Sequence, residues 1–575
     1  MKKIVNRLFV AFAITVMVSA CNSFDLDLQD NPLAVTPENA SVNDLLNSVQ
    51  FAMADFYDGT QFNAGALARM YHSGGFTYNA VTTTGTYNFA WNVLYSDALP
   101  DVDNVLLLAE AAGLDIHAGT AKLMEAYMMM VAVDLWGDIP YSESGQGTDI
   151  ISPASDSGSD VYSAAMSLID EAIAQLTDTN AAAPAFDNFY GGNAENWIKF
   201  GNTLKLRAAL NMGDAGMINS LVSGGMIIDE ASEDFQINFG NQRTNPNSRH
   251  PFYNNHYEVL DGNYLSNYYM WLMNRGRESE ITDGARIDDP RRRYYFFRKI
   301  EDDEGQDATT YGCHLTALPT DDTGSLLNHW TARDANLTES YCTAGNGYSG
   351  RDFGNGSGIP PDGPTRTSYG LYPAGGDFDA DDFEDTRTEG VKGGLGQGIF
   401  PIMLSSFVDF MRAEAALRLG TTDDPQALLE SGIRKSFAKV RGFESLVASK
   451  MASEVEIRGG GTSTVAEFYG ATTAREDSYV AEIMALYNAA TSDAERLNVV
   501  ITEFYIAAWG NGLEAFNMYR RTGLPSNMQP ALEVDPGQFP NLVFKPLDHI
   551  TRNLNATQND FVTKVFWAPA DVNPY

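Results

Sequence analysis

The stretch Thr502–Pro525, TEFYIAAWGNGLEAFNMYRRTGLP, constrains this chain more than any other. Phe504, Ala507, Ala508, Leu513 and Phe516 recur at three- and four-residue steps, so one helix face must bury against other helices. Gly510 and Gly512 interrupt that face, and each costs about 1 kcal/mol relative to alanine inside a helix. The pattern therefore predicts a neighbouring backbone packed closely against this segment. Arg520-Arg521-Thr522-Gly523 ends it, with cations over the carbonyl end and a glycine suited to a left-handed cap. Nothing in it is catalytic by composition.

The start of the chain addresses the compartment. Lys2, Lys3 and Arg7 form a positive region, Leu8 to Val18 a short apolar one, and Val18-Ser19-Ala20-Cys21 a lipobox cut before the cysteine. The alternative is an ordinary signal peptide with an incidental cysteine. On the lipobox reading residues 1–20 are a leader, Cys21 carries acyl chains, and residues 21–40 are a tether. Several acyl chains anchor stably, so the protein sits on a membrane without crossing it. No later segment offers eighteen uninterrupted apolar residues. Cleavage removes three basic residues and no acid, which deepens the formal net charge from −37 to −40. That field excludes nucleic acid as a partner and suits a solvated body held off an anionic surface.

Four segments in order resemble the SusD/RagB family of outer-membrane nutrient-capturing lipoproteins. They are Tyr127–Tyr141 (YMMMVAVDLWGDIPY), Trp197–Leu210 (WIKFGNTLKLRAAL), Pro401–Leu419 (PIMLSSFVDFMRAEAALRL) and the 502–525 stretch. The resemblance implies a mainly α fold: a tetratricopeptide-like helical scaffold with long loop-rich insertions, in a single domain over 41–575. It also implies an oligosaccharide ligand, a partner TonB-dependent (SusC-like) transporter, no cofactor, and an outer-membrane location facing the exterior. The acids behind Cys21, Asp25, Asp27 and Asp30, resemble the family's surface-export signal.

Periodicity supplies the helices. Val42–Phe56, Asp101–Ala112, Lys122–Leu135 capped by Thr120, a segment starting at Asp160, and Trp197–Met212 all read as amphipathic. Residues 213–400 are rich in glycine, asparagine and aspartate, which is loop chemistry on a rigid scaffold. Cys313 and Cys342 lie there and are permitted a disulfide that spacing alone does not establish. Asp288-Asp289-Pro290-Arg291 resembles a structural family segment. The cluster from Arg291 to Arg298 is expected to pair with local acids.

Catalytic motifs are missing: no HExxH, GxSxG, P-loop or CxxC occurs. His250 and His256 are too loosely spaced to argue for a metal. GDFDADDFED, with Asp377, Asp379, Asp381 and Asp382, departs from a calcium loop at its sharp-turn and twelfth positions and reads as a solvated acidic loop. A glycosidase needs only two suitably spaced carboxylates, so the hydrolase reading ranks below binding without being eliminated.

Aromatic rings in polar loops are the remaining signal, because sugar C–H faces stack on them while neighbouring polar groups take hydroxyls. Tyr71, His72, Tyr78 and Tyr87 form the favoured group, with Tyr268, Trp271 and Trp330 as further candidates. Trp91 and Tyr95 stand at helical spacing, which assigns Trp91 to core packing with Trp136, Trp197 and Trp509. Three readings follow: a surface receptor delivering an oligosaccharide to a transporter, a receptor of the same architecture for a peptide or other nutrient, and a surface glycoside hydrolase.

Overall fold

Helices stack in chain order through the first part of the protein: α1 (Val42–Leu67), α2 (Leu99–Ala112), α3 (Asp115–Trp136), α4 (Gly158–Leu176), α5 (Ala194–Met212) and α6 (Ala215–Gly224). Each packs against the next. This computed structural model describes residues 41–75, 77–177, 180–259, 263–274, 288–301, 347–354, 365–386, 390–457, 460–529, 531 and 536–572. The leader, Cys21, Cys313, Cys342 and Trp330 lie outside the described residues.

Local chemistry sets the boundaries. Only Gly113 and Leu114 separate α2 from α3, so the chain must reverse, and Gly113 supplies the left-handed φ of 65°. Ser157 caps α4 by accepting from the Asp160 amide, and Asn193 caps α5 by accepting from Glu195 and Asn196. Helix α3 begins at Asp115 and runs through Thr120, which is therefore not its cap. Every residue from Ile116 to Trp136 is buried, so α3 is the central helix of the stack.

A second group consists of α7 (Ser405–Leu419), α8 (Pro425–Gly442), α9 (Thr473–Ala489) and α10 (Asp493–Ala507). It closes on itself, since α7 packs on both α8 and α10, and α9 packs on α8 and α10. The Pro401–Leu419 segment opens as a strand before its helix. β1 (Phe235–Asn238) pairs antiparallel with β2 (Ile399–Met403), and α7 starts only at Ser405. The run Ile399-Phe400-Pro401-Ile402-Met403 favours extended chain, which explains the strand.

The 502–525 stretch is likewise two helices. α10 ends at Ala507, α11 (Gly512–Thr522) follows, and Gly510 turns the chain between them at φ 98°. Close packing does occur. A Cβ on Gly512 would lie 2.0 Å from the Gln61 carbonyl oxygen and 2.6 Å from the Gly65 Cα of α1, so only glycine fits.

Arg520 and Arg521 do not cap α11 at its surface; both are buried. Arg521 grips Glu414 of α7 bidentately at 2.7 and 2.8 Å and donates to Asn211 of α5 at 2.7 Å. Burial raises the Glu414 carboxyl, but Arg521 and Arg418 outweigh it and hold the group below its ordinary range. Asp134 of α3 is the other centre. Its carboxylate accepts from Arg207 of α5 at 3.0 Å, Asn517 of α11 at 2.7 Å, Trp567 at 2.9 Å and the Tyr162 hydroxyl of α4.

The arginine cluster pairs with acids. Arg291 is fully buried between Asp289 (2.8 Å) and Glu503 (3.0 Å), and Arg293 meets Asp381 at 2.8 Å. Arg298 takes Asp379 at 2.6 Å. The acidic run is consequently not a solvated loop: Asp377 and Asp379 are buried, and Lys450 pairs with both Asp377 and Asp382.

Removing one member of such a buried set strands the others. Asp134→Ala is expected to destabilise the protein by about 3–5 kcal/mol, read as a lower urea midpoint with an unchanged slope. A loss under about 1 kcal/mol would remove Asp134 from the centre of the fold.

Candidate functional site

The segment ahead of α2 is helical throughout, but its pitch changes. Asn88–Asn92 is α-helix, Val93–Ala98 widens into a π-turn, and α2 continues from Leu99. Such widening is concentrated at functional sites because it re-aims side chains on one face. Here it carries Tyr95, one turn beyond Trp91 of the α-helical part. α12 (Leu547–Arg552) is laid across this segment by two bonds, from the Leu547 amide to the Thr84 carbonyl at 2.8 Å and from the Asp548 amide to Asn88 Oδ1 at 3.3 Å.

Between them lies a groove of about 350 Å³ lined by Trp91, Asn92, Tyr95, Pro140, Asp548, His549 and their neighbours. Trp91 is buried against two rings, with the Tyr95 ring centroid at 4.5 Å and the His549 ring at 4.4 Å, each about 35° from parallel. Trp136 of α3 meets it edge-on at 5.1 Å and fixes the stack against the core. The Tyr95 hydroxyl donates to the Pro140 carbonyl at 2.7 Å. His549 Nε2 is buried and has no hydrogen-bond partner. Around the aromatic floor, Asn92 donates to Asp548 at 3.2 Å, and Asp548 stands 3.5 Å from the exposed Arg552. An aromatic wall with an amide, a carboxylate and a guanidinium suits a polyhydroxylated ring.

The sequence-predicted rings are elsewhere. Tyr71 lies in the core, stacked on Phe62 at 5.1 Å and donating to Gln61 at 3.0 Å. Tyr78 is buried between Phe353 and Phe539 and accepts from Arg69 at 2.6 Å. Tyr87 is buried edge-on against Trp136 at 5.9 Å. Tyr268 is buried and donates to Asn527 at 3.1 Å, while Trp271 packs beside it. His72 is mostly buried and faces Tyr264 edge-on at 5.7 Å. These rings do not form an exposed platform; buried aromatics gather instead around Trp509, which lies within 6 Å of Tyr71, Tyr269, Tyr295, Phe296 and Tyr369.

Two other features are structural. A cavity of about 170 Å³ borders Arg292, Arg293 and Arg475, but all three are engaged, by Asp288, Asp381 and the Gly470 carbonyl respectively. His250 accepts from the Phe252 amide through Nδ1, and His256 packs edge-on to Tyr369. Burial lowers the His250 ring to about 3.

A stack of packed helix pairs, presenting a fixed aromatic groove, is the architecture of a binding protein. Family models agree: one described as "Starch-binding associating with outer membrane" matches residues 34–340, and one described as "Susd and RagB outer membrane lipoprotein" matches 399–561. The chain belongs to the SusD/RagB family of nutrient-binding outer-membrane proteins. Among solved structures, a chitin-binding protein is 18% identical over 92% of this chain and 100% of its own, with a TM-score of 0.60. A SusD homolog from Bacteroides fragilis is 17% identical over 92% and 99%, with a TM-score of 0.60. A chitin-binding SusD homolog from Flavobacterium johnsoniae is 18% identical over 92% and 98%, with a TM-score of 0.57. These likenesses confirm the mainly helical, tetratricopeptide-like fold. A comparison with curated protein sequences finds no match. No described helix is long and apolar enough to cross a membrane.

His549 gives the groove a measurable signature. Burial, and then the nearby Lys545, lower its ring from 6.5 to about 4, so the fold favours the neutral form. Its contribution to stability is present above pH 6.5 and is lost as the pH falls towards 4. NMR of the His549 ring should show a neutral imidazole at pH 6; a midpoint near 6.5 would contradict this burial.

Proposed function

We propose that the protein is a cell-surface receptor that captures an oligosaccharide in the Trp91–Tyr95–His549 groove and delivers it to a partner TonB-dependent transporter. The single observation behind this reading is the fixed aromatic cluster of Trp91, Tyr95 and His549 that borders a groove with polar groups. Stacking supplies affinity for a sugar face, and Asn92 and Asp548 supply direction through hydroxyls. Chitin binding in two structural relatives suggests N-acetylglucosamine oligomers as the first probes. The role is capture without turnover.

Each ring that stacks on a sugar is worth about 1 kcal/mol, or roughly fivefold in Kd. Tyr95→Ala and His549→Ala should therefore each weaken glycan binding by about that factor in calorimetry. Asn92→Ala should weaken it with no change in melting temperature. If all three variants bind as tightly as the parent while remaining folded, the groove is not the ligand site. Tight binding of a peptide library member, competed by no glycan, would favour the non-sugar receptor.

Delivery requires a tether and a partner. Cys21 is the proposed lipid anchor, and residues 21–40 the tether that lets the body move over a transporter. A durable contact of that kind buries about 2,000 Å² or more. Cys21→Ala is expected to leave the membrane fraction, and the parent protein to bring a TonB-dependent transporter with it from native membranes in mild detergent. A Cys21→Ala protein that still sediments with membranes refutes the anchor; purification without a transporter refutes delivery.

A further inference from the structure

Eight arginines are buried among the described residues. Arg207, Arg249, Arg291, Arg298 and Arg521 are held by carboxylates, and Arg69 and Arg520 donate to backbone carbonyls. Arg351 alone has neither. It is 5% exposed, and its Nε and Nη2 are buried without a hydrogen-bond partner. Asp352, the next residue, accepts instead from Gln529 at 2.8 Å. A guanidinium buried in this way is strongly disfavoured until something supplies the acceptor.

The backbone gives Arg351 no freedom to escape that cost. It bridges to Ser266, with the Arg351 amide on the Leu265 carbonyl at 3.0 Å and the Asn267 amide on the Arg351 carbonyl at 2.9 Å. Its guanidinium carbon stands 4.2 Å from the centroid of the Tyr264 ring, and that of Arg366 stands 4.5 Å from the same point. Two cations on one ring make a positive spot in a chain of formal net charge −37. His256 registers the same field: burial, and then Lys299 and Arg366, hold its ring well below the ordinary range. The group is shallow, since Arg366 is half-buried and Asn263, beside Tyr264, is exposed.

Which anion fits follows from how this chain uses its other arginines. Arg298, Arg412 and Arg521 each grip one carboxylate with Nε and Nη2 together. That edge is a planar fork matched to two carboxylate oxygens. In Arg351 it is the edge that has no acceptor.

We propose that Arg351 and Arg366 form an anion site, sharing no residue with the Trp91 groove, that takes the carboxylate of an acidic sugar, so that the preferred ligand contains uronate units. The carboxylate meets the Nε–Nη2 fork of Arg351 in its plane. Arg366, the outermost of the group, draws the ligand in and admits it by rotation of its side chain. The inference rests on the receptor reading for the sugar, and on the arginines alone for the charge.

The test is calorimetry and thermal melting of the protein with trigalacturonate, its fully methyl-esterified form and N-acetylglucosamine tetramer. The parent protein should bind trigalacturonate roughly tenfold tighter than the ester. Arg351→Gln should abolish that preference, leave binding of the tetramer in the groove unchanged, and not lower the melting temperature, because Arg351 has no partner in the fold to lose. Equal binding of acid and ester by the parent overturns the site. A lower melting temperature in Arg351→Gln with the preference intact assigns the residue to the fold and also overturns it. Inorganic sulfate bound as tightly as trigalacturonate overturns the uronate assignment. Failure of both trimers to bind while the tetramer still occupies the groove removes this inference alone; failure of all three removes the receptor reading with it.

Discussion

Everything in this protein is referred to the last turn of α3. Asp134 there sits in the dry centre of the helix stack, and a lone carboxylate in that position would cost several kcal/mol. It is tolerated because Arg207, Asn517, Trp567 and Tyr162 all donate to it, from α5, α11, the C-terminal segment and α4. Charge satisfaction therefore requires four distant parts of the chain to be in place at once. A stack of helices bound only by apolar faces could slide or re-pair; the four donors reach Asp134 in a single register.

The same turn has another obligation. The final carbonyls of a helix have no partner within it, and α3 ends in the core where water cannot serve. Arg520 takes the Asp134 carbonyl at 2.6 Å, the Val543 amide takes that of Leu135 at 2.9 Å, and Asn559 takes that of Trp136 at 2.8 Å. The segment after α11 is thereby stitched along the end of α3. α12 belongs to that segment, so the helix end that organises the core also places one wall of the groove.

The fold was largely legible in the sequence because helical periodicity and caps are local signals. The helices read from Asp160 and from Trp197 are present, each starting two or three residues earlier behind the caps Ser157 and Asn193, and the demand of Gly512 for a close neighbour is met by Gly65. Errors arose where local and tertiary preferences disagree. Thr120 is a good cap, yet burial of the whole of α3 carries the helix past it to Asp115. The site was far less legible. Tyr71, Tyr78, Tyr87 and Tyr268 stand among polar neighbours and look exposed, but tertiary packing that no local pattern reveals buries all four. Trp91 was assigned to the core on helical spacing, and it is buried there against Trp136; that its ring would also border a groove was not legible. His549, more than four hundred residues away in sequence, gives no local signal at all.

That separation has a functional consequence. A sugar offers little apolar area, so its binding tolerates small entropic costs only, and a groove that had to assemble around the ligand would bind too weakly to be useful. Here Trp91 is held by Trp136 from below, Tyr95 by the Pro140 carbonyl, and His549 by a helix fastened at Thr84 and Asn88. The rigidity comes from the buried polar centre, transmitted through α3 to the segment that carries α12, so the most costly feature of the core and the most delicate feature of the surface are two ends of one arrangement.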